Sequence, residues 1–210
     1  MSIAIIDYGM GNLKSVKKAF LSIDLPAEIT SDPKQILTAD KVVLPGVGAY
    51  RDAIAQLNSS GLSEAIYEVV KKGTPLLGIC LGMQLLFDKS YEYGEYEGLG
   101  LLPGEIVRFK SEDMVGTNGE NLKVPHMGWN NLEITKPDPL FTGIPNGSSV
   151  YFVHSYYLET SADVVSSYTT YGKRIAVAAQ KDNIFATQFH PEKSGTIGIQ
   201  ILKNFGGIKS

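Results

Sequence analysis

The chain's one cysteine, Cys80, stands in the run Gly78-Ile79-Cys80-Leu81-Gly82. A nucleophile with glycines two residues before and two after it, between an apolar run and a helical pattern, has the spacing of a nucleophile elbow in its cysteine form. In so tight a turn those two positions press against the neighbouring strand and helix, where any Cβ would collide. The elbow puts Cys80 at the tip, in a strained backbone conformation. A helix over Met83-Gln84-Leu85-Leu86-Phe87 adds an electrostatic consequence, because its unpaired N–H groups and positive dipole end favour a thiolate over a thiol. A lone cysteine is otherwise most often a small buried hydrophobe. The reactive reading therefore rests on the glycines.

A thiol nucleophile needs a base, and the base needs a group to orient it. His190-Pro191-Glu192 contains both types. Proline biases His190 to extended backbone, and in extended backbone residues two apart share a face. Taken alone, two such residues are more often a surface ion pair of little worth. A tetrahedral oxyanion would need two N–H donors. Leu81 at the helix start offers one, and Pro45-Gly46-Val47-Gly48 offers the other through Val47 or Gly48, although that segment also reads as a plain turn.

Other patterns are weaker. Gly9-Met10-Gly11 and Gly46-Val47-Gly48 fail as dinucleotide fingerprints, because Lys14 and Arg51 stand where the third glycine belongs. His126 and His154 have no second ligand at metal spacing and read as structural histidines, so no metal and no cofactor is expected. Tyr91–Glu97 reads as a solvated loop in which a carboxylate could meet a substrate ammonium group.

Four of these segments fall at the ends of expected strands: Asp7–Asn12, Pro45–Gly48, the Cys80 elbow and His190–Glu192. Ile3–Ile6, Ala27–Thr30, Lys41–Leu44 and the run to Ile79 read as buried strands. They alternate with helical patterns over Leu13–Phe20, from Pro33 (with Asp32 as cap), Ala49–Leu57 and Leu62–Val70. Past Leu99 the texture is β: Glu105–Phe109, Leu132–Ile134, Val150–Ser155, Val164–Thr169, Ile175–Ala179 and Ile184–Phe189, with a helix at Gly195–Phe205. Lys110–Asn121 reads as a surface loop or hairpin tip. This predicts an α/β, flavodoxin-like fold: a mostly parallel sheet with helices on both faces, antiparallel strands added at its edge and one late strand returned to its middle. Ligands of such sheets bind outside the carboxyl ends of the strands, where the four segments meet.

The 210 residues suit one domain, 43% of them hydrophobic and 20% charged. A net charge of -3 with no basic cluster disfavours nucleic acid. One cysteine excludes an intrachain disulfide framework. The start Met1-Ser2-Ile3-Ala4-Ile5-Ile6-Asp7 has no basic n-region, and no apolar stretch approaches the roughly 20 residues that span a bilayer. A cytoplasmic protein without membrane contact is expected.

Gly78-Ile79-Cys80-Leu81-Gly82-Met83-Gln84 together with His190-Pro191-Glu192-Lys193 resembles the class I (triad) glutamine amidotransferases. Ile6–Leu13, Leu44–Ala49, Pro125-His126-Met127-Gly128-Trp129-Asn130 and Phe152-Val153-His154-Ser155-Tyr156 narrow the likeness to the branch that serves histidine biosynthesis. Met83 stands where anthranilate-type relatives usually carry histidine, while Asp88–Glu92 departs somewhat from the usual wording and Lys110–Asn121 matches no family motif. The resemblance implies hydrolysis of L-glutamine by Cys80, His190 and Glu192, with the head group held by Gln84, Glu92, Gly46, Ser155 and Tyr156. It also implies a heterodimer with a (β/α)8-barrel cyclase that receives the ammonia, docked near Asn12, Met127, Trp129 and Lys193. The Gly46-Val47 peptide is suited to switching an N–H into and out of the oxyanion hole, so activity without the partner is expected to be low. The other readings are a triad glutaminase serving an anthranilate or pyridoxal phosphate synthase, and a non-catalytic flavodoxin-like module that only binds a partner.

Overall fold

Short runs of β-branched and aliphatic residues alternate with amphipathic stretches from the start of the chain. The computed structural model describes residues 1–116 and 118–209. In order they form β1 (Ile3–Ile6), α1 (Leu13–Leu21), β2 (Ala27–Thr30), α2 (Pro33–Thr38), β3 (Lys41–Gly46), α3 (Tyr50–Ser59), α4 (Leu62–Lys71), β4 (Leu76–Cys80) and α5 (Leu81–Leu85). Then come β5 (Phe87–Ser90), β6 (Tyr96–Glu97), β7 (Leu102–Arg108), β8 (His126–Asn131), β9 (Glu133–Ile134), β10 (Ser149–His154), β11 (Tyr156–Glu159), β12 (Val165–Tyr171), β13 (Lys173–Lys181), β14 (Ile184–Thr187) and α6 (Gly195–Gly207).

The main sheet runs β2-β1-β3-β4-β14-β13-β11-β7-β5-β6, with β12 and β9 attached beside β13. Strands β2, β1, β3, β4 and β14 are mutually parallel, and β1, β3, β4 and β14 are buried at every residue, as a strand covered on both faces must be. From β14 onward the pairing with β13, β11 and β7 is antiparallel. One face packs on α2, α3, α4 and α5 through residues such as Ile36, Leu57, Ile66 and Leu85. The other packs on α1 and α6 through Val16, Phe20, Ile201 and Phe205. This is the α/β arrangement that the alternation predicts.

A separate antiparallel ribbon, β8 with β10, covers part of the second face. Its register sets His126 opposite His154 and Phe152 opposite Gly128 on the inner side, with Met127 opposite Val153 and Trp129 opposite Tyr151 on the outer side. Period two thus gives the ribbon one buried and one open face.

Several elements differ from the sequence reading. The run Tyr91–Glu97, read as a loop, ends in the short edge strand β6, where Tyr96 and Glu97 pair with Ser90 and Lys89 of β5. Helix α5 stops at Leu85, and Phe87 begins β5 instead of closing a helix. The reason is long-range: Leu99 N–H donates to the Leu85 carbonyl, and Leu101 and Leu102 N–H both donate to that of Leu86. Strand β3 runs to Gly46, two residues past Leu44, so Gly46 pairs with Cys80 itself. The run Val150–Ser155 breaks at Ser155, where the chain leaves the ribbon and enters the main sheet as β11. Residues 126–131 form a strand the sequence reading does not contain. In the Lys110–Asn121 loop, a Val115–Asn121 bridge makes the expected hairpin, but Met114 is buried and Lys173 pairs with Asp113 at 3.0 Å, so its base is tied to β13. Thr117 of that loop lies outside the described residues. Among the described residues, no helix is long and apolar enough to cross a membrane.

Candidate active site

Strand β4 lies between β3 and β14, parallel to both, and Cys80 is its last residue. Cys80 has φ 55° and ψ −111°, a conformation in the sparsely populated left-handed half of backbone space. The glycines show why the turn holds. A Cβ on Gly82 would run into the Leu44 carbonyl of β3, and one on Gly78 would lie 2.7 Å from Leu86 and 2.9 Å from the Met83 Cα. The elbow is closed from both sides by backbone that cannot move away.

Past Thr187 the chain leaves the strand and delivers Gln188, Phe189 and His190 beside the elbow. His190 N–H donates to the Tyr151 carbonyl at 3.0 Å, and Ser194 Oγ both accepts from Tyr151 N–H and donates to the His190 carbonyl. The histidine backbone is therefore clamped to β10. His190 Nδ1 and Glu192 Oε1 are 2.8 Å apart, with both side chains 2% exposed. Nδ1–H donates to the carboxylate, which leaves Nε2 as the free nitrogen, and Nε2 has no hydrogen-bond partner. Burial pulls the imidazole toward its neutral form, but Cys80 and Glu192 outweigh it and hold the proton well above the usual histidine range. The short α5 gives less of the helix-end field than a full helix would; what stands beside the sulfur is this imidazole.

Cys80 and His190 open onto a cavity of about 290 Å³, whose walls include Val47, Gly48, Leu81, Gln84, Glu92, Ser155 and Tyr156. The structure thus brings nine of the sequence-predicted residues to one space. Glu192 stands behind His190, outside the wall. Gly46 differs from expectation, because it is not on the wall: it lies beside Cys80 in β3, where a Cβ would press on Tyr8 Oη and Leu81. Glu92 Oε2 accepts Tyr50 N–H at 2.7 Å, and burial lifts its carboxyl above the ordinary range while that N–H opposes the shift. Gln84 spends its Nε2 on the Tyr156 carbonyl at 3.3 Å and on Gln188 Oε1 at 2.9 Å.

One residue escapes the sequence reading, and two histidines it names turn out to be linked to the site. Gln188, fully buried, has its Nε2 3.7 Å from the Cys80 sulfur. His126 and His154 are hydrogen-bonded to each other at 3.0 Å, and His154 Nδ1 donates to the Tyr156 carbonyl at 2.8 Å. Burial holds both in the neutral form, pushing His126 down to about 4 and His154 to about 3. They are structural histidines, as expected, but His154 also lines the cavity. Among the described residues no cluster of three or more His, Cys, Asp or Glu side chains could hold a metal ion. A larger open groove of about 680 Å³ beside Tyr157, Tyr168 and Arg174 holds neither cysteine nor histidine, and Arg174 is occupied by Glu133.

Beside the cavity mouth, the outer face of the ribbon exposes Met127 (62%) and Trp129 (57%). Trp129 stands edge-on to Tyr151 and over Gly195, and the Lys193 ammonium lies 6.0 Å from the Tyr151 ring centre. Asn12 is exposed at the start of α1, its side chain making no cap bond.

The geometry is that of a thiol with an imidazole base, an orienting carboxylate and an adjoining pocket, which is the equipment for acyl transfer from an amide. Comparison with known proteins agrees. A protein from Syntrophotalea carbinolica named imidazole glycerol phosphate synthase subunit HisH is 53% identical over 207 residues, spanning 98% of this chain and 100% of the relative. The Geobacter metallireducens protein of the same name is 52% identical over 210 residues, spanning 100% of this chain and 99% of the relative. Among solved structures, PurLQS from Thermotoga maritima superposes with a TM-score of 0.74 at 18% identity, covering 98% of this chain and 97% of that one, and so shares the fold. Residues 4–207 match the family described as glutamine amidotransferase class-I, and the chain belongs to that family.

Proposed function

We propose that this chain is the glutaminase subunit of an imidazole glycerol phosphate synthase, hydrolysing L-glutamine to glutamate and passing the ammonia to a (β/α)8-barrel cyclase. The cyclase uses it to make imidazole glycerol phosphate and an aminoimidazole carboxamide ribonucleotide for histidine biosynthesis. The observation that carries the glutaminase reading is the buried His190–Glu192 pair, with His190 Nε2 unengaged, delivered beside Cys80 just past the end of β14. Full-length identity above 50% to proteins named as that subunit supports the choice of synthase over the anthranilate and pyridoxal phosphate alternatives.

His190 has taken the Cys80 proton before sulfur attacks the glutamine side-chain carbonyl, and it then gives that proton to the leaving ammonia. His190 next draws a proton from water, which hydrolyses the γ-glutamyl thioester, while Glu192 holds the ring and offsets its charge. The Leu81 N–H and the Val47–Gly48 backbone receive the oxyanion. Glu92 meets the α-ammonium group, and Gln84 with the Ser155–Tyr156 backbone orients the rest of the head group. Gly46 acts from behind, by letting β3 approach Cys80.

Free ammonia would be protonated in water, so the Cys80 cavity must be covered while it turns over. The Met127–Trp129–Lys193 patch, with Asn12, is the docking face; an exposed tryptophan beside a cation and a tyrosine is a natural anchor. The test is glutamine hydrolysis with and without the barrel partner, on wild type and Cys80→Ala. Hydrolysis that rises with the partner and vanishes in the variant is expected; hydrolysis by Cys80→Ala at the wild-type rate would refute the reading.

A further inference from the structure

A polar side chain buried among apolar neighbours is costly unless each of its groups is engaged. Gln188 is such a residue: it has no solvent exposure and follows β14 between Thr187 and Phe189, and its amide touches the nucleophile. The assignment of Cys80, His190 and Glu192 gives it no task.

The orientation of its amide follows from its neighbours. The Tyr156 carbonyl can only accept, and it receives His154 Nδ1–H at 2.8 Å and Gln84 Nε2–H at 3.3 Å. Gln84 must therefore present its NH2 group on this side, and the same nitrogen donates to Gln188 Oε1 at 2.9 Å. With its oxygen fixed toward Gln84, Gln188 has only its NH2 group to turn toward sulfur, 3.7 Å away. Flipping Gln188 would set donor against donor, and flipping Gln84 as well would set its oxygen against the Tyr156 oxygen. His126 closes the far end, donating from Nδ1 to His154 Nε2 at 3.0 Å. Buried without a carboxylate, neither ring takes a second proton that would reverse this direction.

We propose that Gln188 is a further catalytic residue, whose amide N–H stabilises the Cys80 thiolate once His190 has taken its proton, and that Gln84 acts through Gln188 by fixing which end of that amide faces sulfur. The Val153 carbonyl, 3.9 Å from the sulfur, suits the thiol S–H and repels the anion. Gln188 is the neutral donor that tips the balance toward charge. The proposal rests on Cys80 being the nucleophile.

Iodoacetamide alkylation of Cys80 across pH, followed by mass spectrometry on the full chain, reads thiolate directly and does not depend on glutamine as substrate. Tyr8, Glu92, His154, His190 and Glu192, the titratable groups around the sulfur, are the same in every variant, so a difference between profiles reports the amide. Gln188→Met, of similar size and without a donor, is expected to slow alkylation at neutral pH roughly tenfold and to move the half-maximal pH upward. Gln84→Met is expected to shift the profile the same way by less, and the double variant to match Gln188→Met. A wild-type profile in Gln188→Met overturns the proposal, and a double variant whose loss is the product of the two single losses overturns the orienting role of Gln84. If Gln188→Met does not fold by circular dichroism, Gln84→Met decides, since an unshifted profile there refutes the idea. Protection of wild-type Cys80 by glutamine tests the substrate reading separately.

Discussion

His190 and His154 line the same cavity, both buried, and they are held in opposite charge states. At the end of β14, Glu192 accepts from the ring and Cys80 faces it, so the imidazole keeps its proton despite the loss of water. In the β8–β10 ribbon, His154 and His126 hydrogen-bond with each other, a backbone carbonyl and Asn130 and stack on aromatic rings, with no carboxylate, and burial strips them of the second proton. Burial alone therefore says nothing about what a histidine does. The partner at the second nitrogen decides whether it works as a base or as a fixed neutral strut.

That contrast can be broken from either side. His190→Asn removes the base and should lower glutamine hydrolysis about 10²–10⁴-fold in a steady-state assay. His154→Leu strands the Nδ1–H of His126 and should cost about 1–3 kcal/mol of stability by urea denaturation, with a smaller loss of hydrolysis than His190→Asn. On the open face of the ribbon, Trp129→Ala should weaken partner binding by more than about 1 kcal/mol in calorimetry and leave Cys80 alkylation of the free chain unchanged.

The contrast can also be sharpened through the pH dependence of stability, where the two sites sit on opposite limbs. Between their folded values of about 4 and 3 and the ordinary 6.5, His126 and His154 bind fewer protons folded than unfolded, so stability falls as the medium is acidified through that window. His126→Gln should flatten the acid limb by up to about 1.4 kcal/mol per pH unit. His190 behaves the other way: its folded value is raised to about 10, so its contribution is full below about 6.5 and fades as pH climbs toward 10. His190→Asn should flatten the alkaline limb and leave the acid limb in place, read as denaturation midpoints against pH.

The elbow was legible because its glycines record a steric fact that any sequence must obey: no Cβ fits between Gly82 and the Leu44 carbonyl. The doubly wound half was legible for a similar reason, since fully buried strands and amphipathic helices have periods that show. Less could be read where the deciding contact is distant. Nothing near Leu85 announces that the backbone of residues 99–102 will take its carbonyls and stop the helix. Strand β8, with its glycine and exposed tryptophan, resembles a motif more than a strand until β10 pairs with it. Gln188 looks like an ordinary polar residue at the end of a strand, and only its two neighbours in space reveal which way its amide faces.

One property of the sheet bears on how the protein is made. The edge of β4 that carries the thiol is filled by β14, more than a hundred residues later in the chain, and the base arrives just after it. While a ribosome is still translating the middle of the message, the emerging chain carries a cysteine with no partner to activate it. The harmless order of synthesis comes free with the topology: a half-finished chain cannot yet consume glutamine, and its reactivity switches on when the late strand docks.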